Sequence, residues 1–226
     1  MLAISRLSAF LTWACTGILV NFTRVRWSLL TSQSLLLTCV VALTTLPQSA
    51  TAQGFDPADA AKRLETIPNL RAQLFAAEPL VRQPILVKCD PRGRLWTIQY
   101  LQYPNPAGLQ RVKVDRWSRT TYDRIPEPPP LGPRGADRIS ILEDRDGDGI
   151  ADSSRDVIEG LNLATGLEFG YGGLFVMQAP YLLFYPDENR DDTPDSDPAV
   201  LLSGFGMEDA QSMPNHLTWG PDGWLY

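Results

Sequence analysis

From residue 70 onward the chain reads as short apolar runs, "LRAQLFAAEP", "PILVKCD", "RLWTIQY", "RISILED", "GLFVMQ", "YLLFYPD" and "AVLLSGF", each closed by Gly, Pro or Asp. Runs this short, bounded by turn formers, predict β-strands. The segment before them reads differently. In "DPADAAKRLETI", Asp56 is placed to cap a helix, Pro57 suits its first position and helix formers follow, so one small helix is expected within residues 53–69. "IPEPPPLGP" at residues 125–133 cannot join a central strand, because proline has no N–H for a ladder; it is expected as an exposed, extended loop. The fold class is all-β.

Two internal repeats sharpen that class. "ISILEDRDGDGIADSSRDVIEG" superposes on "LLFYPDENRDDTPDSDPAVLLSG" with an offset of 43, pairing Ile139 with Leu182, Asp144 with Asp187, Asp152 with Asp195 and Val157 with Val200. Each unit reads as strand, acidic loop, strand. "DPRGRLW" and "GPDGWLY" match Pro91 with Pro221, Gly93 with Gly223 and Leu95 with Leu225, an offset of 130 that is close to three such periods. Periods of about 40 to 50 residues in an all-β chain are those of β-propeller blades, each a four-stranded sheet. A sandwich with similar hairpins is the alternative. Residues 70–226 then hold about three blades, where closed propellers have about 4 to 8, so the chain is expected to be the N-terminal fragment of a longer protein.

Residues 1–52 read as a leader. Arg24 and Arg26 precede the apolar run at 35–46, and Ala50, Thr51 and Ala52 form a small-residue cleavage site, so cleavage is expected after Ala52, with export to the periplasm or cell surface. A membrane anchor built on the leader, or on regions beyond the fragment, is the alternative. Loss of the leader removes Arg6, Arg24 and Arg26 and takes the formal charge from −6 to −9. Such an acidic chain has no basic face for a phosphate backbone, and nucleic acid is excluded as a partner. Only Cys89 remains, so no internal disulfide can form.

The acidic loops carry the candidate chemistry. Asp144, Asp146 and Asp148 alternate before Gly149, whose freedom at positive φ lets a chain curl around an ion, and Asp152 can close the ring. Those carboxylates with the Ile150 carbonyl and water would satisfy the 6 to 8 oxygens that Ca²⁺ takes. Four carboxylates this close repel one another without a cation. The pattern departs from an EF-hand, with Arg155 where the bidentate Glu would stand, and is similar to the calcium loops of integrin-type propellers. The second loop offers Asp187, Asn189, Asp191 and Asp195, with Asp192 in the Gly position. The competing reading of the first loop is a solvated hairpin tip, and that of the second a degenerate former calcium site.

"DPRGRLW", "DRISILEDRDGDGIAD", "GGLFVMQAPYLLFYPD", "LLSGFGMED" and "LTWGPDGWLY" together resemble the planctomycete-type putative membrane-bound dehydrogenase family. That family is similar to the soluble pyrroloquinoline quinone (PQQ) dependent glucose and sorbosone dehydrogenases, which implies a six-bladed propeller in the full-length protein, PQQ as cofactor and a sugar or alcohol as substrate. The c-type haem domain of longer members is not implied for this chain, which has no C-x-x-C-H. In the glucose dehydrogenases a His five residues before the Leu of L-x-x-G-P-D takes the substrate proton; counting back from Leu217 gives Ser212, which cannot act as that base unaided. His216, the chain's single His, is the other candidate, against a plain loop role. Trp96, Trp219 and Trp224 read as packing between blades. Two functions compete: a quinone-dependent dehydrogenase, and a non-catalytic propeller, stabilised by calcium, that binds carbohydrate or protein.

Overall fold

A computed structural model describes residues 54–226. The leader, its cleavage site and the alternative anchor lie outside these residues. At the start of the described chain the Asp56 carboxylate accepts the Ala58 N–H and Pro57 occupies the first turn, giving α1 (Pro57–Ala60) and a following 3₁₀ turn (Ala61–Arg63). No described helix is long and apolar enough to cross a membrane.

Ten strands follow, β1 (Pro84–Cys89), β2 (Leu95–Gln99), β3 (Arg111–Val114), β4 (Thr120–Tyr122), β5 (Asp137–Glu143), β6 (Ser153–Leu161), β7 (Ala164–Gly170), β8 (Gly173–Gln178), β9 (Tyr181–Pro186) and β10 (Ala199–Ser203). They form two four-stranded antiparallel sheets, ordered β1-β2-β5-β6 and β7-β8-β9-β10, and a separate β3-β4 hairpin. The fold is all-β and antiparallel. The 43-residue repeat falls where the pattern placed it, on the third and fourth strands of each sheet, β5-β6 and β9-β10.

The main core lies between the sheets. Trp96, Ile98, Ile139 and Ile141 of the first sheet meet Leu167, Val176, Leu183 and Tyr185 of the second, with Trp96 edge-on to Phe169 at 5.2 Å between ring centres. Burying one such aliphatic side chain contributes about 1.5 to 3 kcal/mol. The outer face of the second sheet, carrying Phe175, Met177 and Leu182, is covered by Leu217 and Trp219 from the C-terminal segment. The opposite face of the first sheet is polar at the Gln99 end. There Gln99 donates to the Ser140 hydroxyl, which donates to Asp156, and Asp156 also accepts from Arg138.

Several expectations change. Residues 70–79 form no strand; the Phe75 carbonyl instead accepts the Ala151 N–H, and Phe75 and Ala76 pack on Val81, Leu142 and Ala151. The described residues hold two complete four-stranded sheets and a last hairpin bridged at Trp219 and Leu225, rather than three repeat units in register. The 130-residue offset does mark matching turns, since Gly93 and Gly223 take φ +79° and +82° and both turns close with the same backbone bonds. It does not count 43-residue periods, because the β3-β4 hairpin is inserted between β2 and β5. The proline loop is not wholly exposed: Pro126 is buried and its carbonyl accepts the Tyr181 hydroxyl. Trp224 is 71% exposed and packs no sheet, unlike Trp96.

Candidate functional site

The two acidic loops connect the third strand to the fourth in each sheet and share most of one hydrogen-bond scheme. Asp144 accepts the Gly147 and Gly149 N–H groups, and Asp187 accepts those of Asp191 and Asp192. Asp152 accepts from the Arg145 N–H as Asp195 does from Glu188. Asp148 and Asp191 each accept the N–H two residues on, at Ile150 and Thr193. The left-handed positions agree as well: Gly147 and Gly149 have φ +80° and +86°, Arg190 and Asp192 have +60° and +68°.

In the first loop, Asp144, Asp146 and Asp152 bring one carboxylate oxygen each within 4.8 Å of the others. Asp148 stands outside that trio. The donor set is hard oxygen, which suits Ca²⁺, and the remaining ligands would come from the Ile150 carbonyl and water. Backbone N–H groups already stabilise these carboxylates, which is a second answer to their mutual repulsion. The Gln73 side chain closes the loop from outside by donating to the Asp148 carbonyl at 2.9 Å.

The second loop does something the sequence pattern does not announce. Asp192, in the position of a glycine, is buried and receives Arg94 in a two-pronged pair at 2.7 Å on each oxygen, with Arg155 at 3.0 Å. Arg94 also pairs with Asp90 and reaches Glu143 at 3.4 Å, and the Trp96 indole donates to Asp90. This network ties the β1-β2 turn of the first sheet to the acidic loop of the second. The Arg94 bonds hold the Asp192 carboxyl below its usual range against the opposing effect of burial. Burial raises Asp90, but the Arg94 N–H, the Trp96 indole and the Arg94 guanidinium outweigh it and the net shift is downward.

A cleft of about 580 Å³ opens between the start of β1, the segment after β2 and the chain before the last hairpin. Tyr100, Tyr103, Gln83, Thr165, Gln211, Asn215 and His216 line it with several apolar neighbours, and no lining residue is Lys, Arg, Asp or Glu. The polar groups are positioned by bonds to neighbouring loops. Gln211 donates to the Tyr103 hydroxyl at 3.1 Å, the Tyr100 hydroxyl donates to the Ala210 carbonyl at 3.3 Å, and Thr165 donates to the Pro214 carbonyl. Burial, then the Asp137 charge, pushes the Tyr100 hydroxyl well above its ordinary range, so it remains a donor at neutral pH. His216 sits in the left-handed region at φ +55°.

Of the two catalytic candidates, His216 lines this cleft and Ser212 does not. A quinone with three carboxylates would need cations, and the cleft lining supplies none, so these residues do not fit PQQ. The cleft itself was not legible in the pattern, because Gln83 and His216 are distant in sequence and only the packed sheets bring them together.

A family described as a domain of unknown function (DUF7133) matches residues 56–226, and the chain belongs to it. No curated protein and no solved structure matches the chain.

Proposed function

We propose that this DUF7133 domain is part of an exported β-propeller, stabilised by calcium at the first acidic loop, whose cleft beside His216 binds a neutral polyhydroxylated ligand of the carbohydrate class. The blade reading is supported by the two sheets, which have the same strand order along the chain, by first strands β1 and β7 that pack side by side and are joined by the Lys88 to Glu168 ion pair at 2.6 Å, and by acidic loops repeated at the same corner of each sheet. Calcium would be held by Asp144, Asp146 and Asp152, where it would staple β5 to β6.

The observation that carries the ligand assignment is the character of the cleft. Hydroxyl, amide and imidazole groups beside two tyrosine rings, with no Lys, Arg, Asp or Glu in the lining, match the hydroxyls and apolar faces of a sugar better than an anion or a cation. Incubating the chain with immobilised neutral and acidic glycans tests this. Retention on neutral glycans, lost in Tyr103→Ala, is the expected result; retention on acidic glycans alone would contradict it.

The dehydrogenase reading stays as a second proposal because His216, an imidazole able to take a proton, lines the same cleft. Aldose oxidation by the chain supplied with an uncharged soluble quinone as electron acceptor, abolished by His216→Ala, would support it. Sugar binding without turnover assigns the binding module.

A further inference from the structure

We propose that the β3-β4 hairpin docks the protein on an anionic lipid surface. The ribbon belongs to neither four-stranded sheet, and all of β3 is exposed. Residues 111–124 carry five cations against two carboxylates in a chain whose overall charge is −6. Two of those cations are neutralised locally, Arg119 by Asp115 and Arg124 by Asp123. Among the described residues no salt bridge engages Arg111, Lys113 or Arg116, so the hairpin presents three free positive charges.

Apolar groups share the ribbon with those charges. Val112 is 67% exposed, Val114 51%, and Trp117 at the turn 60%. Arg116 and Arg119 stack on the Trp117 ring at 3.9 and 5.0 Å from its centre, which keeps the indole at the tip beside guanidinium groups. Stacked guanidinium groups also occupy the ring face that a sugar platform would need. An indole flanked by arginines suits the headgroup level of a bilayer, where the ring enters the interface and the cations meet lipid phosphates. A soluble polyanion would satisfy the charges but leave Val112, Val114 and Trp117 in water. Lipid answers both halves of the surface. The reading is independent of the cleft, whose lining includes none of these residues.

Flotation of the full chain with phosphatidylcholine vesicles, with and without 30% phosphatidylglycerol, tests the proposal, with variants compared against wild type so that residues 1–53 contribute equally to both. Each cation near an anionic surface is worth roughly fivefold in partitioning, so Arg111→Gln/Lys113→Gln/Arg116→Gln should weaken binding to anionic vesicles on the order of a hundredfold at low salt. Trp117→Ala should weaken it too, with an unchanged circular dichroism spectrum, and binding should fall as salt rises. Equal binding of wild type and triple variant would overturn the proposal. So would a preference for dextran sulfate that survives Trp117→Ala, which would assign the hairpin to a soluble polyanion.

Discussion

Replacing Asp192 separates two opposed roles of one residue. Its backbone sits at φ +68°, where the equivalent Gly149 of the first loop is at home and a side chain costs about 1 kcal/mol. Its carboxylate holds Arg94 across the sheet boundary, with side chains only 10% and 14% exposed. Removing one partner of a buried pair costs about 3 to 5 kcal/mol; Arg94 keeps Asp90 and Glu143, so the lower end, about 3 kcal/mol, applies. Asp192→Ala is therefore expected to cost about 3 kcal/mol. Asp192→Gly restores the repeat's glycine and should cost about 1 kcal/mol less. Urea denaturation of both variants, and of Arg94→Met and the double variant, measures this, with a coupling of about 2 kcal/mol expected in the cycle. Because the folded Asp192 carboxyl titrates below its unfolded counterpart, the contribution is present above the unfolded value near 3.8 and disappears as pH falls through the folded one. An Asp192→Gly protein as stable as wild type at pH 7 would show that the pair with Arg94 adds nothing, leaving the carboxylate a tolerated substitute for glycine.

Three further outcomes follow from the same geometry. Asp137 is fully buried and its carboxyl is raised to about 6 by desolvation, against the N–H groups of Gln102 and Ala164 that it accepts; its contribution is complete below about pH 3 and is lost as pH rises through 6, so wild type relative to Asp137→Asn should lose about 3 kcal/mol between about pH 3 and 7 in denaturation titrations. Calorimetry should show wild type melting higher in calcium than in chelator, by the equivalent of about 2.7 kcal/mol at a hundredfold excess over Kd, and Asp146→Ala should lose that difference; identical melting of wild type in both leaves the hairpin tip merely solvated. Gly149→Ala should destabilise by more than 1 kcal/mol in urea, since φ is +86° and a Cβ would approach the Gln73 amide to 2.6 Å.

What the sequence made legible was local. Six of the quoted apolar runs became β1, β2, β5, β8, β9 and β10, because each couples branched or aromatic residues to a turn signal within a few positions. The equivalence of the acidic loops was readable as well, since the backbone scheme is written in Asp and Gly spacing. β3 and β4 were missed because "RVKV" offers only two valines, both exposed, and "TTY" buries only Thr120, so neither reads as a core strand. β7 was missed because "ATGLEFG" interrupts its apolar residues with glycines and a Glu whose burial depends on Lys88 from another sheet. The Leu70 segment misled for the opposite reason: its apolar residues pack as a strap on Leu142 of β5 and Ala151 of the acidic loop without joining a ladder. Arg94 to Asp192 and the cleft depend on contacts between distant segments, which no spacing records.

Isothermal titration of a neutral oligosaccharide retained on glycan surfaces, into wild type, Gln211→Ala and Tyr103→Ala, tests the central assignment most directly. Saturable binding to wild type and at least tenfold weaker binding to each variant are expected, with melting temperatures that stay together because these side chains line the cleft without entering the core between the sheets. Binding of equal strength in all three proteins, or no heat from any neutral sugar at millimolar concentration, would contradict it.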